Sequence, residues 1–306
     1  MSFTTNIKNE ITNVEYPKSE AIAELSSIIN INGNIEKESF SIYTENIGVS
    51  RRIYKLIKDI FGIEVTIEKE KVNRLNKNFI IHLIVDKESN KILKSLGILS
   101  EEGKRQYEVP SYITGENEEV KAYLRGAFLI CGSVNDPKTS RYHLEFIIEN
   151  KIIAESINRL LNSLNFNSKI LKREKHYMVY LKESEQISDF IKLLNAYNSL
   201  FYYEDIRIYR DHKNMTNRLN NCEQANIDKI VFSSNEQLEN IKVLKEKYDF
   251  DLLDDKIKEI CIYKEKYPES SMGELAQIMS IETNKKITKS GVNHRFRKIK
   301  EMVSKD

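Results

Sequence analysis

Cysteine is scarce in this chain: three residues in 306, Cys131, Cys222 and Cys261. They lie too far apart for a zinc cluster, and an odd number argues against a disulfide framework. Four prolines and ten glycines are too few for a fibrous or low-complexity sequence. No run approaches the roughly 18 apolar residues that cross a bilayer. The opening residues, Met1 to Asn6, lack the cationic and apolar stretches of a signal peptide. An excess of one charge is also missing, with 48 Lys and Arg against 46 Asp and Glu, a formal net of +2. These absences predict a cytoplasmic protein with no membrane partner. Near-neutrality argues against nucleic acid only if the charges are evenly spread, because phosphate binding depends on where Lys and Arg cluster. What is present is an apolar fraction of 40%, enough for sizeable cores, in a chain long enough for two or three domains.

The chain repeats itself. Leu25–Ile35 reads LSSIININGNI, and Leu124–Val134, 99 positions later (124 − 25), reads LRGAFLICGSV. Each is the apolar end of a helix stopped by glycine, Gly33 or Gly132, a residue suited to the left-handed conformation that ends many helices. Strand-forming stretches follow, 39–46 and 142–150, both ending in Glu-Asn. Amphipathic helices come next, through Ile53, Leu56, Ile57 and Ile60, and through Ile153, Ile157, Leu160, Leu161 and Leu164. Each copy then has two more strands, 63–69 with 79–85 and 167–173 with 177–181, and a short closing helix near 87–96 or 184–194. The pattern is αββαββα, twice, and paired strands with short connections predict antiparallel sheets carrying helices on one face. Small residues (Ala23, Ser26, Ser27, Gly126, Ala127) predict that the two glycine-ended helices pack closely. A hinge over 100–117 separates the copies.

Beyond about Phe201 the texture changes. Residues 206–223 are polar and basic, and helices are expected over 222–244 and 255–267. A short helix through Leu275, Ala276 and Met279, capped by Ser270 or Ser271, precedes a turn over 282–287. A last helix, capped by Ser290, buries Val292, Phe296, Ile299 and Val303 at steps of four, three and four.

Charge is segregated at this end. Between Asn284 and Lys300 lie seven Lys and Arg residues and no acid, whereas 236–259 is net acidic. With the apolar stripe inward, Asn293, His294, Arg297 and Lys300 project outward, flanked by Arg295 and Lys298. Arg pairs with guanine and Asn with adenine through two hydrogen bonds each, and a short helix, a turn and a basic helix form helix-turn-helix geometry. Asn293, His294, Arg295 and Arg297 are therefore the candidates for groove contact. Lys286, Lys289, Ser290, Lys298 and Lys300 are the candidates for phosphate contact, with double-stranded DNA as the partner. Arg207, Arg210, Lys213 and Arg218 form a second basic stretch, equally compatible with DNA backbone or a solvated linker. Five scattered histidines form no site, and no phosphate loop, zinc spacing or nucleophile elbow occurs.

LSSIININGNI resembles the LAGLIDADG motif of homing endonucleases nearly position for position, and LRGAFLICGSV resembles it more loosely. In that family the last acidic residue before each glycine binds the metal ions that drive phosphodiester cleavage. The resemblance places Asn32 and Cys131 at those positions. Metal-assisted hydrolysis needs hard anionic oxygens, which an amide and a thiol replace poorly. The expectation is therefore no catalytic residue, no metal, no cofactor and no nuclease activity. Asp136, the nearest carboxylate in the second copy, has no counterpart in the first. Cys131 reads better as a small buried apolar residue than as a nucleophile.

Three stretches, LRGAFLICGSVNDP (124–137), NRLNNCEQAN (217–226) and ITKSGVNHRFRKI (287–299), are similar to signatures of the WhiA family of bacterial DNA-binding regulators. Their order and spacing agree across essentially the whole chain, although Glu282 to Lys286 departs from the family pattern. The resemblance implies a degenerate LAGLIDADG-like domain joined to a C-terminal helix-turn-helix that binds DNA. It further implies a role in cell division and chromosome segregation, sporulation control where the organism sporulates, and nucleoid association. The expected fold is α+β, a duplicated αββαββα domain followed by an all-α helix-turn-helix domain. Its divisions are lobe 1 over 1–99, lobe 2 over 100–203, a basic linker over 204–222 and the helical domain over 223–306, with the helix-turn-helix at about 270–303. A protein partner is expected at the duplicated domain. The competing readings are a metal-dependent endonuclease and a protein-interaction scaffold with incidental DNA contact.

Overall fold

The computed structural model describes residues 2–74, 77–139 and 141–304, so the outer limits expected at Met1 and Asp306 lie outside the described residues. Two compact units divide the chain between Arg210 and Asp211.

The first unit begins with a helix that sequence reasoning passed over, α1 (Phe3–Ile11), whose Phe3, Ile7 and Ile11 fall at steps of four and are buried. The first copy then runs α2 (Lys18–Asn32), β1 (Gly33–Ile35), β2 (Phe40–Thr44), α3 (Ile47–Phe61), β3 (Thr66–Arg74), β4 (Lys77–Val85) and α4 (Ser89–Ser95). The second runs α5 (Asn117–Cys131), β5 (Gly132–Val134), β6 (Leu144–Ile148), α6 (Lys151–Ser163), β7 (Lys169–Lys172), β8 (Tyr177–Leu181) and α7 (Ser184–Leu193). The sheets have matching orders, β1-β2-β4-β3 and β5-β6-β8-β7, antiparallel throughout. Equivalent registers recur: Gly33 faces Ile42, and Gly132 faces Phe146. Alternation puts Phe40, Ile42, Leu144 and Phe146 inward, against one shared core. The paired Glu-Asn endings have a local cause. Asn46 and Asn150 cap α3 and α6, their side-chain oxygens accepting from the amides of Val49 (3.2 Å) and Ile152 (2.9 Å).

The glycine-ended helices α2 and α5 pack against each other, as their small residues predict. A Cβ added at Gly126 would sit 2.3 Å from the Glu24 carbonyl oxygen and 2.9 Å from Ser27 Cβ, so only glycine permits this approach. Gly33 and Gly132 correct an expectation. Both are extended, at φ −76° and −83°, not left-handed. Glycine is needed there for room, because a Cβ would lie 2.4 Å from the Ile29 carbonyl oxygen or 2.3 Å from the Phe128 ring.

At the crossing lies a buried ionic cluster. Glu24 of α2 is fully buried and accepts from Arg52 of α3 at 2.9 and 3.0 Å and from Arg125 of α5 at 2.8 Å. The Tyr16 ring lies 3.3 Å from the Arg125 guanidinium carbon. One carboxylate thus ties both copies together. Segment 100–117, read as a hinge, is fastened too: Arg105 donates to the Asn30 carbonyl at 2.9 Å.

Helix α8 (Tyr197–Lys247) is continuous for 51 residues, so residues 204–222 are helical throughout. Glu10 of α1 closes its first turn, accepting from the amides of Asn198 (2.7 Å) and Ser199 (3.1 Å). The second unit continues with a 3-10 turn at Phe250–Leu252, then α9 (Asp255–Lys266), α10 (Met272–Thr283) and α11 (Lys289–Ser304). Its separate core joins Ile241 and Leu244 of α8, Ile257, Ile260 and Cys261 of α9, Leu275 and Met279 of α10, and Val292, Phe296 and Ile299 of α11.

Candidate nucleic-acid interface

Local chemistry sets the α10–α11 pair. Ser271, one of the two expected caps, opens α10 in a reciprocal capping box. Its hydroxyl accepts from the Glu274 amide (3.3 Å), and the Glu274 carboxylate accepts from its amide (2.8 Å). The helix runs to Thr283, past the expected start of the turn, and ends at Asn284 in the left-handed conformation (φ 56°). Asparagine tolerates that conformation, which explains the later break. Ser280 then fastens the turn, donating to Ala276 and Ile287 carbonyls and accepting from the Ile287 amide at 3.0 Å. The cap of α11 is Thr288, not Ser290: the Thr288 hydroxyl accepts from the Gly291 amide at 3.2 Å. Ser290 lies in the first helical turn, exposed.

The structure divides the nine expected contact residues in two. Ser290, Asn293, His294 and Arg297 share the face opposite Val292, Phe296 and Ile299, and all four are exposed. Lys286 in the turn and Lys289 at the helix start are exposed beside them. Among the described residues these six side chains have no hydrogen-bond or ion-pair partner. Arg295, Lys298 and Lys300 are engaged within their own unit. Arg295, 16% exposed, meets Glu259 of α9 at 2.7 Å; Lys298 meets Asp254 at 3.4 Å; and Lys300 pairs with Glu236 of α8. The acidic stretch at 236–259 therefore neutralises the flanks of α11 and leaves the outward row uncompensated. Among the flanks, Arg295 is the one whose pairing is largely shielded from water, a packing role that its sequence position did not reveal.

The degenerate positions lie together in the first unit, in a groove of about 990 Å³ where α2 and α5 end. Asn32 donates to the Tyr43 carbonyl at 2.6 Å, and Cys131 donates to the Ala127 carbonyl at 3.3 Å. Burial pushes the Cys131 thiol up to about 12, so it is neither an anionic ligand nor a nucleophile near neutral pH. Helix α1 borders this groove and is tied to β5 by Thr4, whose hydroxyl meets the Val134 amide and carbonyl at 2.9 Å. Its Lys8 faces Cys131, with the ammonium 5.7 Å from the Phe128 ring centroid, and burial lowers its pKa. Asp136 is not among the groove residues. It accepts from the Lys138 amide (2.9 Å) and the Tyr202 hydroxyl (3.3 Å). The groove carboxylates are Glu45 and Glu149, one per copy, from the matched Glu-Asn endings. That symmetry was visible in the sequence, but its position at the groove was not. Among the described residues no three His, Cys, Asp or Glu side chains converge to hold a metal ion.

The outer faces of the sheets carry mixed side chains, with Lys169 aligned beside Tyr180 and Lys182 5.0 Å from the Tyr180 ring centroid on the second. Tyr43, His82 and Glu68 align across one, with His82 paired to Glu70 at 3.3 Å. Ile147, Met178 and Leu171 align across the other. Among the described residues no helix is long and apolar enough to cross a membrane.

A duplicated αββαββα unit with paired sheets, followed by a helical unit ending in helix-turn-helix, defines the class. Three family profiles cover it in order: the WhiA N-terminal LAGLIDADG-like domain over residues 18–99, the WhiA LAGLIDADG-like domain over 120–213 and the WhiA C-terminal HTH domain over 216–303. The chain is 41% identical to the probable cell division protein WhiA of Staphylococcus aureus (strain JH9), over all of this chain and 97% of that one. Among solved structures, full-length DUF199/WhiA from Thermatoga maritima matches with a TM-score of 0.60 and 21% identity, covering 99% of this chain and 98% of that one. The N-terminal LAGLIDADG domain of DUF199/WhiA matches at 0.52 and 22%, covering 63% and 90%. The chain belongs to the WhiA family.

Proposed function

We propose that this chain is a sequence-selective DNA-binding regulator acting in cell division and chromosome segregation and, where the organism sporulates, in sporulation gene control. It works in the cytoplasm at the nucleoid and has no nuclease activity. The observation that carries the reading is the exposed, unpartnered row Ser290, Asn293, His294 and Arg297 on α11. Donors and acceptors on an uncompensated helix face are what a major groove reads. Lys286 and Lys289, beside the start of α11, take phosphates, and the paired Arg295, Lys298 and Lys300 contribute less. The duplicated domain serves as a protein-docking scaffold. The absence of nuclease activity is supported by Asn32 and Cys131, which line the groove at the two positions where the LAGLIDADG motif carries its metal-binding acids.

The test is a salt titration of affinity by fluorescence anisotropy, on a site recovered by genome-wide mapping of bound DNA. Arg297→Ala is expected to lose about 1–3 kcal/mol on the specific site and to relax base preference. Lys289→Ala is expected to weaken all sequences alike and flatten the salt slope by about one. If neither variant changes affinity, α11 is not the reading helix. Magnesium-dependent nicking of supercoiled DNA by the purified chain would overturn the non-enzymatic part.

A further inference from the structure

The long helix α8 carries one apolar-to-polar stripe that is only half covered. Ser234, Gln237, Ile241 and Leu244 follow one another at helical steps, and the unit-2 fold buries all four. Ser234 donates to the Pro268 carbonyl. Traced toward the N-terminus at steps of three and four, the same face continues through Ile230, Asn226, Cys222, Leu219 and Met215. Nothing covers these five among the described residues: Met215 is 64% exposed and Leu219 is 55% exposed. Met215, Leu219, Cys222 and Asn226 alternate at steps of four, three and four, the heptad spacing of a coiled-coil seam, and Ile230 lies one position off that register. This stretch includes NRLNNCEQAN, which the DNA-reading helix leaves without a role.

We infer that a second copy of this chain covers the seam, in a parallel two-stranded coiled coil over about residues 212–230. Charge placement selects that occupant. Arg218 and Glu223 flank the seam on opposite sides, five residues apart. That is the separation at which a parallel pair brings Arg218 of one copy against Glu223 of the second copy, twice by symmetry. Antiparallel pairing would not give this exchange. Asn226 occupies a seam position where two facing amides hydrogen-bond, a feature that fixes register and favours two strands. In that register Cys222 faces Cys222 of the second copy. The coiled coil is short, about 28 Å at 1.5 Å per residue, so the dimer is weak and forms only at high protein concentration. The inference stands apart from DNA binding, since it concerns a different face on a different helix.

Sedimentation equilibrium of the full chain from about 1 to 200 µM tests it. The expected result is a shift from the 35.9 kDa monomer toward twice that mass. Leu219→Asp is expected to abolish the shift without changing the melting temperature, because Leu219 is exposed in the monomer. Arg218→Glu weakens association, and adding Glu223→Arg restores it. Diamide, which accepts two electrons and two protons as two thiols become a disulfide, should trap a dimer that Cys222→Ser prevents. A monomer at every concentration overturns the inference, as would follow if the stripe folded against its own chain. A dimer that survives Leu219→Asp, or is not restored by the charge swap, overturns it equally.

Discussion

Replacing Glu24 by Gln tests the joint between the two copies. The side chain keeps its shape and one oxygen, but two buried guanidinium groups lose their shared anion. Arg52 is 5% exposed and Arg125 1%, so water does little to replace it. Breaking a buried ion pair by removing one partner costs about 3–5 kcal/mol, because the remaining charge stays desolvated. Here the lower end applies. Arg52 keeps the Val14 carbonyl at 2.6 Å, and Arg125 keeps Glu20 at 3.5 Å and the Tyr16 ring. At roughly 2–4 °C per kcal/mol for a unit of this size, 3 kcal/mol lowers the melting temperature by about 6–12 °C. Calorimetry reads it, with the transition of the helical unit as internal control. Glu20→Gln removes only the longer contact and is expected to cost about 1 kcal/mol or less. A Glu24→Gln chain melting within about 2 °C of the parent would refute the reasoning. It would mean that the cluster is desolvated at a loss equal to its attraction.

Gly126→Ala must move a backbone carbonyl 2.3 Å from the new methyl, so it is expected to destabilise the first unit by about 1–3 kcal/mol or more. Gly273→Ala, whose nearest neighbour is a hydroxyl at 3.8 Å, should instead stabilise α10 by about 0.4–1 kcal/mol; denaturant melts separate the two. Burial raises the Cys131 thiol to about 12 and the Cys261 thiol to about 11, so both stay protonated at pH 8. Iodoacetamide at that pH should label exposed Cys222 first, read by peptide mass spectrometry, and early labelling of Cys131 would contradict its burial.

The duplication, the order of elements and the buried stripe of α11 were legible because period and spacing are written in single residues: Val292, Phe296 and Ile299 need no partner to be recognised. Helix α1 was not, since nine residues with three apolar positions resemble any loop until Glu10 is seen closing the first turn of α8. The helicity of 204–222 was hidden for a related reason, its polar composition lacking the covered face that marks most helices. Gly33 and Gly132 were found for the wrong cause: a helix-ending glycine suggests a left-handed residue, and only coordinates show the side chains that exclude a Cβ. At the candidate interface, the charge run pointed to one helix but not to the sorting within it. Arg295 and Arg297 are two positions apart and chemically identical. What distinguishes them is Glu259, 36 residues away, which no local reading reaches.

The ends of α2 and α5 have a meaning beyond this molecule. At two adjacent positions, repeated in each copy, the motif has come apart: the glycine stands in both, and the acid in neither. The chain is thus a natural dissection of the motif into scaffold and chemistry. Gly33, Gly132 and the small residues facing Gly126 answer to steric limits that hold whatever the domain does, whereas no such limit dictates the amide at position 32 or the thiol at position 131. Any sequence found through the glycines and small residues has been found through its architecture. Its reaction, if it has one, must be sought in the single residue before each glycine.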